Sequence, residues 1–120
     1  MSLQHITIEN FEPEVLESPV PVLVDFYASW CPPCQMLSPV LEKLAVQYQG
    51  KAKIVKVNTE EQPDLAAVFR IRSIPTLYFF AGGKAVDTAV GFVQPNLLQH
   101  KLNTLISNMN STQNELRRAI

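Results

Sequence analysis

Both cysteines of this chain fall within five residues, Trp30-Cys31-Pro32-Pro33-Cys34. Thiols at that spacing can ligate a metal, cross-link the chain, exchange disulfides with another molecule, or simply be buried. Zinc would need two more ligands, and the only histidines, His5 and His100, are far apart and lack ligand spacing. A structural bridge closing so small a loop restrains the unfolded chain little. Burial is a common fate of free cysteine, but the adjoining tryptophan, the paired prolines and a helix start at this point argue for exchange.

Exchange works best with two thiols of different character. An apolar run over residues 20–28, interrupted by the single carboxylate Asp25, reads as a strand that ends just before the pentapeptide. A helix is expected to begin just after Cys31. That places Cys31 at a helix N-terminus, where free N–H groups and the helix dipole favour a thiolate, so it is the expected nucleophile. Pro32 and Pro33 lack N–H donors, yet their fixed φ suits the first helical turn and leaves the dithiol little freedom. Cys34, one turn on, is expected to be less exposed than Cys31 and to resolve the mixed disulfide that Cys31 forms. Asp25 is costly to bury as a charge, so it either reaches solvent or has a raised pKa. It reads as the proton acceptor for Cys34, with Lys56 modulating its charge, or as half of an ion pair with Lys56 and nothing more.

The elements that must position these groups alternate between strand and helix. Residues 4–8 read as a strand with Ile6 and Ile8 on one face, and Asn10 as the N-cap of a short helix over 11–17. The run over 22–27 is too continuously apolar for a half-exposed strand, which suggests the middle of a parallel sheet, entered at Pro19 and Pro21. Met36, Leu37, Val40, Leu41, Leu44, Ala45 and Tyr48 recur at helical spacing in what should be the longest helix, bent near Pro39 and stopped at Gly50. Residues 52–58 read as another buried strand and 63–69 as a short helix, so parallel pairing with a right-handed crossover is expected. Residues 76–81 and 84–90 flank Gly82-Gly83 as an antiparallel hairpin. Pro95 suits the first turn of a last helix carrying Leu98, Leu102, Leu105, Ile106 and Met109. Residues 1–108 form the expected domain. The polar segment 109–120, with Thr112 and Glu115 at capping-box spacing, is a tail that adds helical turns or frays.

Composition narrows the function. At 120 residues, 47% of them hydrophobic, the chain supports one core and not two. A net charge of −1 offers no field for a phosphate backbone, so nucleic acid is not an expected partner. The N-terminus lacks a charged region followed by a long apolar one, and no stretch nears the roughly 20 apolar residues that span a bilayer. The expectation is a cytoplasmic protein with no membrane partner.

These residues carry a family resemblance. The run Val24-Asp25-Phe26-Tyr27-Ala28-Ser29-Trp30-Cys31-Pro32-Pro33-Cys34, then Pro39, Lys56-Val57-Asn58, Ile71-Arg72-Ser73-Ile74-Pro75-Thr76 and Gly91, is similar in order and spacing to the thioredoxins over about residues 5–107. The resemblance implies an α/β thioredoxin fold: a central mixed sheet of about five strands flanked by about four helices, with Ile74-Pro75 a cis peptide beside the dithiol. It implies a substrate surface made by Trp30, Ile74, Pro75, Gly91 and Phe92, to which an extended client strand adds. It also implies a monomeric reductase of protein disulfides with no bound cofactor and no metal. Its redox group is then a Cys31–Cys34 disulfide, recharged by thioredoxin reductase with electrons from NADPH in the reducing cytosol. Pro32 stands where the family usually has glycine, Gln35 where a lysine often follows, and Arg70 and Ser73 where glycines are common. Because residues between the cysteines tune the potential in this superfamily, Pro32 leaves an oxidase or isomerase as alternatives. A client-binding module or chaperone-holdase, using the apolar groove and the tail, is another.

Overall fold

The computed structural model describes residues 3–120. Five strands make one sheet in the order β1-β3-β2-β4-β5: β1 Gln4–His5, β2 Val22–Tyr27, β3 Lys53–Asn58, β4 Thr76–Ala81 and β5 Lys84–Val90. β3 pairs in parallel with β1 and β2, while β4 runs antiparallel to both β2 and β5. Four helical elements flank the sheet: a π-helical turn Glu12–Leu16, then α1 Pro32–Gln47, α2 Pro63–Val68 and α3 Pro95–Ala119. This is the mixed α/β architecture that the resemblance implies.

β2 lies at the centre because nearly every residue in it is apolar and alternate side chains serve opposite cores. On one face Leu23 joins Ile54, Leu77 and Phe79 beneath Leu37 and Leu41 of α1 and Leu98 and Leu102 of α3. On the other, Val22, Val24 and Phe26 join Val55, Val57 and Phe80 beneath Phe11, Val15 and Leu65. Burying one such Leu, Val or Phe side chain contributes roughly 1.5–3 kcal/mol, so β2 is held from both sides. Its last residues are thereby placed, with Asp25 opposite Lys56 and Tyr27 opposite Asn58 on β3.

Where the structure departs from the sequence reading, the causes are local. β1 stops at His5, short of Ile8, because Thr7 N–H donates to Asn10 Oδ1 (2.7 Å) and Asn10 N–H returns to Thr7 Oγ1 (3.4 Å). Ile6 is buried but Ile8 is exposed. The Asn10 side chain is thus spent on the preceding turn and caps nothing; Phe11 takes the cap position without a side-chain bond. The short helix that follows is of π type, with Glu17 N–H reaching Glu12 O (3.0 Å) five residues back. Ala52 belongs to the turn after α1, its N–H on Tyr48 O (3.0 Å), so β3 starts one residue later than expected.

The longest helix is α3, at 25 residues against 16 for α1. The tail continues it unbroken to Ala119. Thr112 Oγ1 donates to Asn108 O (3.0 Å), one turn back, as in a helix interior, and opens no new helix.

Candidate active site

β2 leads through Ala28, Ser29 and Trp30 into α1, whose N-cap is Cys31 in extended conformation (φ −87°, ψ 114°). Pro32 and Pro33 fill the first helical positions, where a missing N–H costs little. The first available donors therefore converge on Cys31: Cys34 N–H on its Sγ (3.3 Å) and Gln35 N–H on its carbonyl (3.0 Å). A sulfur receiving a helix N-terminal N–H is favoured as thiolate. Gln35 Nε2 also donates to Ser29 O (2.9 Å), tying the loop before the cysteines to the helix after them. The two cysteines are joined as a disulfide, Cα atoms 5.2 Å apart.

Cys31 is not the exposed partner that the sequence suggested. It is 3% exposed and Cys34 4%, because Ala28, Tyr27 and Ile74 pack around the bridge. The sulfurs differ in their neighbours instead. Cys31 Sγ meets the helix N–H and lies 3.7 Å from Ile74 O, whereas Cys34 borders a cavity that also holds Asp25. The Ile74-Pro75 bond is cis, and Pro75 O accepts from Gly91 N–H (2.8 Å). Gly91 has φ +85°, which glycine adopts without a steric penalty. Phe92 follows directly, and Trp30, next to Cys31, is 66% exposed. Arg70, at one of the positions where glycine is common, has φ +53°, which accounts for that preference.

Asp25 is buried, and its Oδ1 has no hydrogen-bond partner among the described residues. Burial pushes its carboxyl up to about 7, outweighing the opposing pull of the Lys56 charge. The alternative reading, an ion pair with Lys56, is not seen: among the described residues the two ion pairs are Lys53–Glu14 (2.9 Å) and Lys101–Asp87 (2.6 Å). Lys56 Nζ instead lies over the Tyr27 ring, 5.0 Å from its centroid. Asp25, Cys34, Tyr27, Ser38 and Lys56 border a cavity of about 110 Å³, large enough for a water that the polar side chains on its rim could hold between carboxyl and thiol.

Comparison with known proteins bears directly on this site. A family model described as Thioredoxin matches residues 2–104. The chain belongs to the thioredoxin family. It is 54% identical over 97 residues to Thioredoxin 1 of Nostoc sp. (strain PCC 7120), covering 81% of this chain and 91% of that protein. It is 47% identical over 107 residues to Thioredoxin of Porphyra purpurea, covering 89% and 100%. Against Thioredoxin of Rickettsia felis the identity is 43% over 102 residues, covering 85% and 97%. Like other thioredoxins it is a thiol–disulfide oxidoreductase acting on disulfide-containing proteins, and the Cys31–Cys34 bridge is its redox-active group. Among the described residues no helix is long and apolar enough to cross a membrane, and no group of three or more His, Cys, Asp or Glu could hold a metal ion.

The sequence reading missed Tyr27 and Ser38 as neighbours of the thioredoxin dithiol. Signals for both existed. Tyr27 follows Asp25 by two residues, hence on the same face of β2, and Ser38 follows Cys34 by one helical turn.

Proposed function

We propose that this thioredoxin reduces protein disulfides with Cys31 as attacking and Cys34 as resolving thiol. The observation that carries the assignment is the different surroundings of the two sulfurs, one at the helix N-terminus and one on the Asp25 cavity. Cys31 thiolate attacks one sulfur of the client disulfide; the Cys31–client bond forms, the client S–S bond breaks, and the released client thiolate takes up a proton. Cys34 then passes its proton to Asp25 through cavity water and attacks Cys31 Sγ. The mixed disulfide breaks, the Cys31–Cys34 bond forms, and the client has gained two electrons. A carboxyl with a pKa of about 7 is matched to this transfer near neutrality, and Lys56 modulates it.

The client lies as an extended strand against Pro75, with Trp30, Ile74, Gly91 and Phe92 around it. The exposure of Trp30 and Phe92 supports this. Pro32 and Pro33 set the geometry of the dithiol. Thioredoxin reductase, drawing on NADPH in the cytoplasm, recharges the bridge in a monomeric partner; family membership supports this part. Residues 1–108 are the catalytic domain and 109–120 an appended helical segment, consistent with a family match that ends at residue 104.

A coupled insulin assay with NADPH and reductase tests the reading. The wild type should precipitate insulin B chain, Cys31→Ser should lose at least about 10³-fold in rate, and Cys34→Ser should accumulate a client adduct visible by mass. An undiminished rate in Cys31→Ser overturns it. A second reading, client holding, is favoured by the exposed Leu116 on the α3 extension. Suppression of client aggregation by the Cys31→Ser/Cys34→Ser double variant would support that reading. Equilibration against glutathione decides between reductase and oxidase or isomerase.

A further inference from the structure

Asp25 and Lys56 face each other across β2 and β3, and a lysine stem is long and flexible enough to reach a carboxylate at that spacing. The ammonium nevertheless sits over the ring of Tyr27, and Asp25 Oδ1 has no hydrogen-bond partner among the described residues. Tyr27 is well placed to hold it. The tyrosine lies two residues beyond Asp25 on the same face of β2, half-buried against the Cys31–Cys34 cluster, and its ring is braced edge-on by His5 of β1 (centroids 6.2 Å apart, 63° between planes). A cation over an aromatic face is attracted without neutralising a carboxylate.

We infer that Tyr27 is a positioning residue for the exchange reaction: its ring parks the Lys56 ammonium away from Asp25, so the lysine tunes the carboxyl without locking it in an ion pair. The inference rests on the reading of Asp25 as proton acceptor for Cys34. A carboxylate already ion-paired must lose that partner as it takes the thiol proton. One whose counter-charge is held at a distance needs no such rearrangement. The polar and titratable groups that bear on the cavity and the ring are Asp25 and Tyr27 from β2, Ser29 after it, Lys56 and Asn58 from β3, His5 from β1, Cys34, Gln35 and Ser38 from α1, and Glu61 beyond β3. Burial holds the Tyr27 hydroxyl above the usual phenol range, so its ring stays neutral at working pH.

The test uses the reduced full-length protein mixed with a chromogenic aryl disulfide. A first burst of coloured thiolate reports attack by Cys31, and a second, equal burst reports resolution by Cys34. The second phase is followed against pH. The wild-type midpoint is expected near 7. Tyr27→Leu releases Lys56 toward Asp25 and should lower the midpoint by about one unit or more. Tyr27→Phe keeps the ring and should leave it in place. With Lys56→Met as background, Tyr27→Leu should shift nothing further. An unshifted midpoint in Tyr27→Leu overturns the inference, and so does an equal shift in the Lys56→Met background, which would mean that Tyr27 acts through packing alone. If the second phase keeps its pH dependence in Asp25→Asn, the acceptor reading is the part that fails. One measurement needs no variant. The ε-methylene protons of Lys56 should resonate upfield in the wild type under the ring current of Tyr27, and ordinary shifts there would sink the inference even if Tyr27→Leu does not fold.

Discussion

β3 carries two lysines, Lys53 and Lys56, each beside a carboxylate from another element, and the two carboxylates are pushed in opposite directions. Lys53 Nζ donates to Glu14 Oε2 (2.9 Å) and Glu14 O (2.8 Å), and both side chains remain about a third exposed. The Glu14 carboxyl is held below its usual range, first by that hydrogen bond, then by one from Gln4 and by the Lys53 charge. Three residues on, Lys56 exerts the same kind of pull on Asp25, but desolvation outweighs it and the pKa rises to about 7. The pairing of residue types is nearly the same. What differs is bulk solvent, which Glu14 keeps and from which Asp25 is shielded. A solvated pair contributes little and stays charged; a carboxyl shielded from bulk solvent and held clear of its counter-charge becomes able to change charge near neutrality.

The largest difference between the two carboxylates should appear in stability. Asp25 in the folded protein has a pKa of about 7 against an ordinary 3.8. As pH rises the unfolded chain therefore gives up this proton first. The stabilising contribution is full below about pH 4 and declines until about pH 7, by on the order of 4 kcal/mol. Denaturant melts of the oxidised protein between pH 4 and 8 should show the decline, and Asp25→Asn should flatten it. A slope that survives the substitution would place its origin elsewhere.

Kinetics give the next effect. Asp25→Asn should slow the resolving burst by about 10- to 100-fold at pH 7 while leaving the attacking burst unchanged. Equal rates in both bursts would make the aspartate a structural residue only. Glu14→Gln sharpens the contrast with the smallest change. It should cost at most about 0.5 kcal/mol, less at high salt, with neither burst affected. A loss of several kcal/mol, measured the same way, would mean that the Glu14 pair is not shared with water after all.

Much of this geometry is legible in the sequence, and particular residues show why. β2 is readable because Val22 to Tyr27 is apolar on both faces but for Asp25, and the hairpin because Gly82-Gly83 separates two runs. The end of β1 is not, since it depends on a side-chain exchange between Thr7 and Asn10 that no hydrophobic pattern encodes. Nor is the length of α3, whose residues 110–115 carry no apolar stripe to announce a helix. At the site, the helix start marks Cys31, a lone carboxylate in an apolar strand marks Asp25, and the family pattern marks Pro75. The burial of Cys31 escapes notice because Ile74, which helps to cover it, comes from the far side of the chain. The position of Lys56 escapes too. An ion pair and a cation over a ring can be made from the same lysine at the same strand position, and only the geometry of Tyr27 decides between them.

Trp30 has a consequence for how the protein can be watched. It is the single tryptophan of the chain, it adjoins Cys31, and it is 66% exposed. Light absorbed by indole is therefore absorbed at one place, the rim of the reactive bond. The adjacent disulfide should drain the excited state, so that emission brightens on reduction. Water around the ring should keep that emission toward the red until a bound client covers it and shifts it to the blue. Intensity then follows the bond, and colour follows the client.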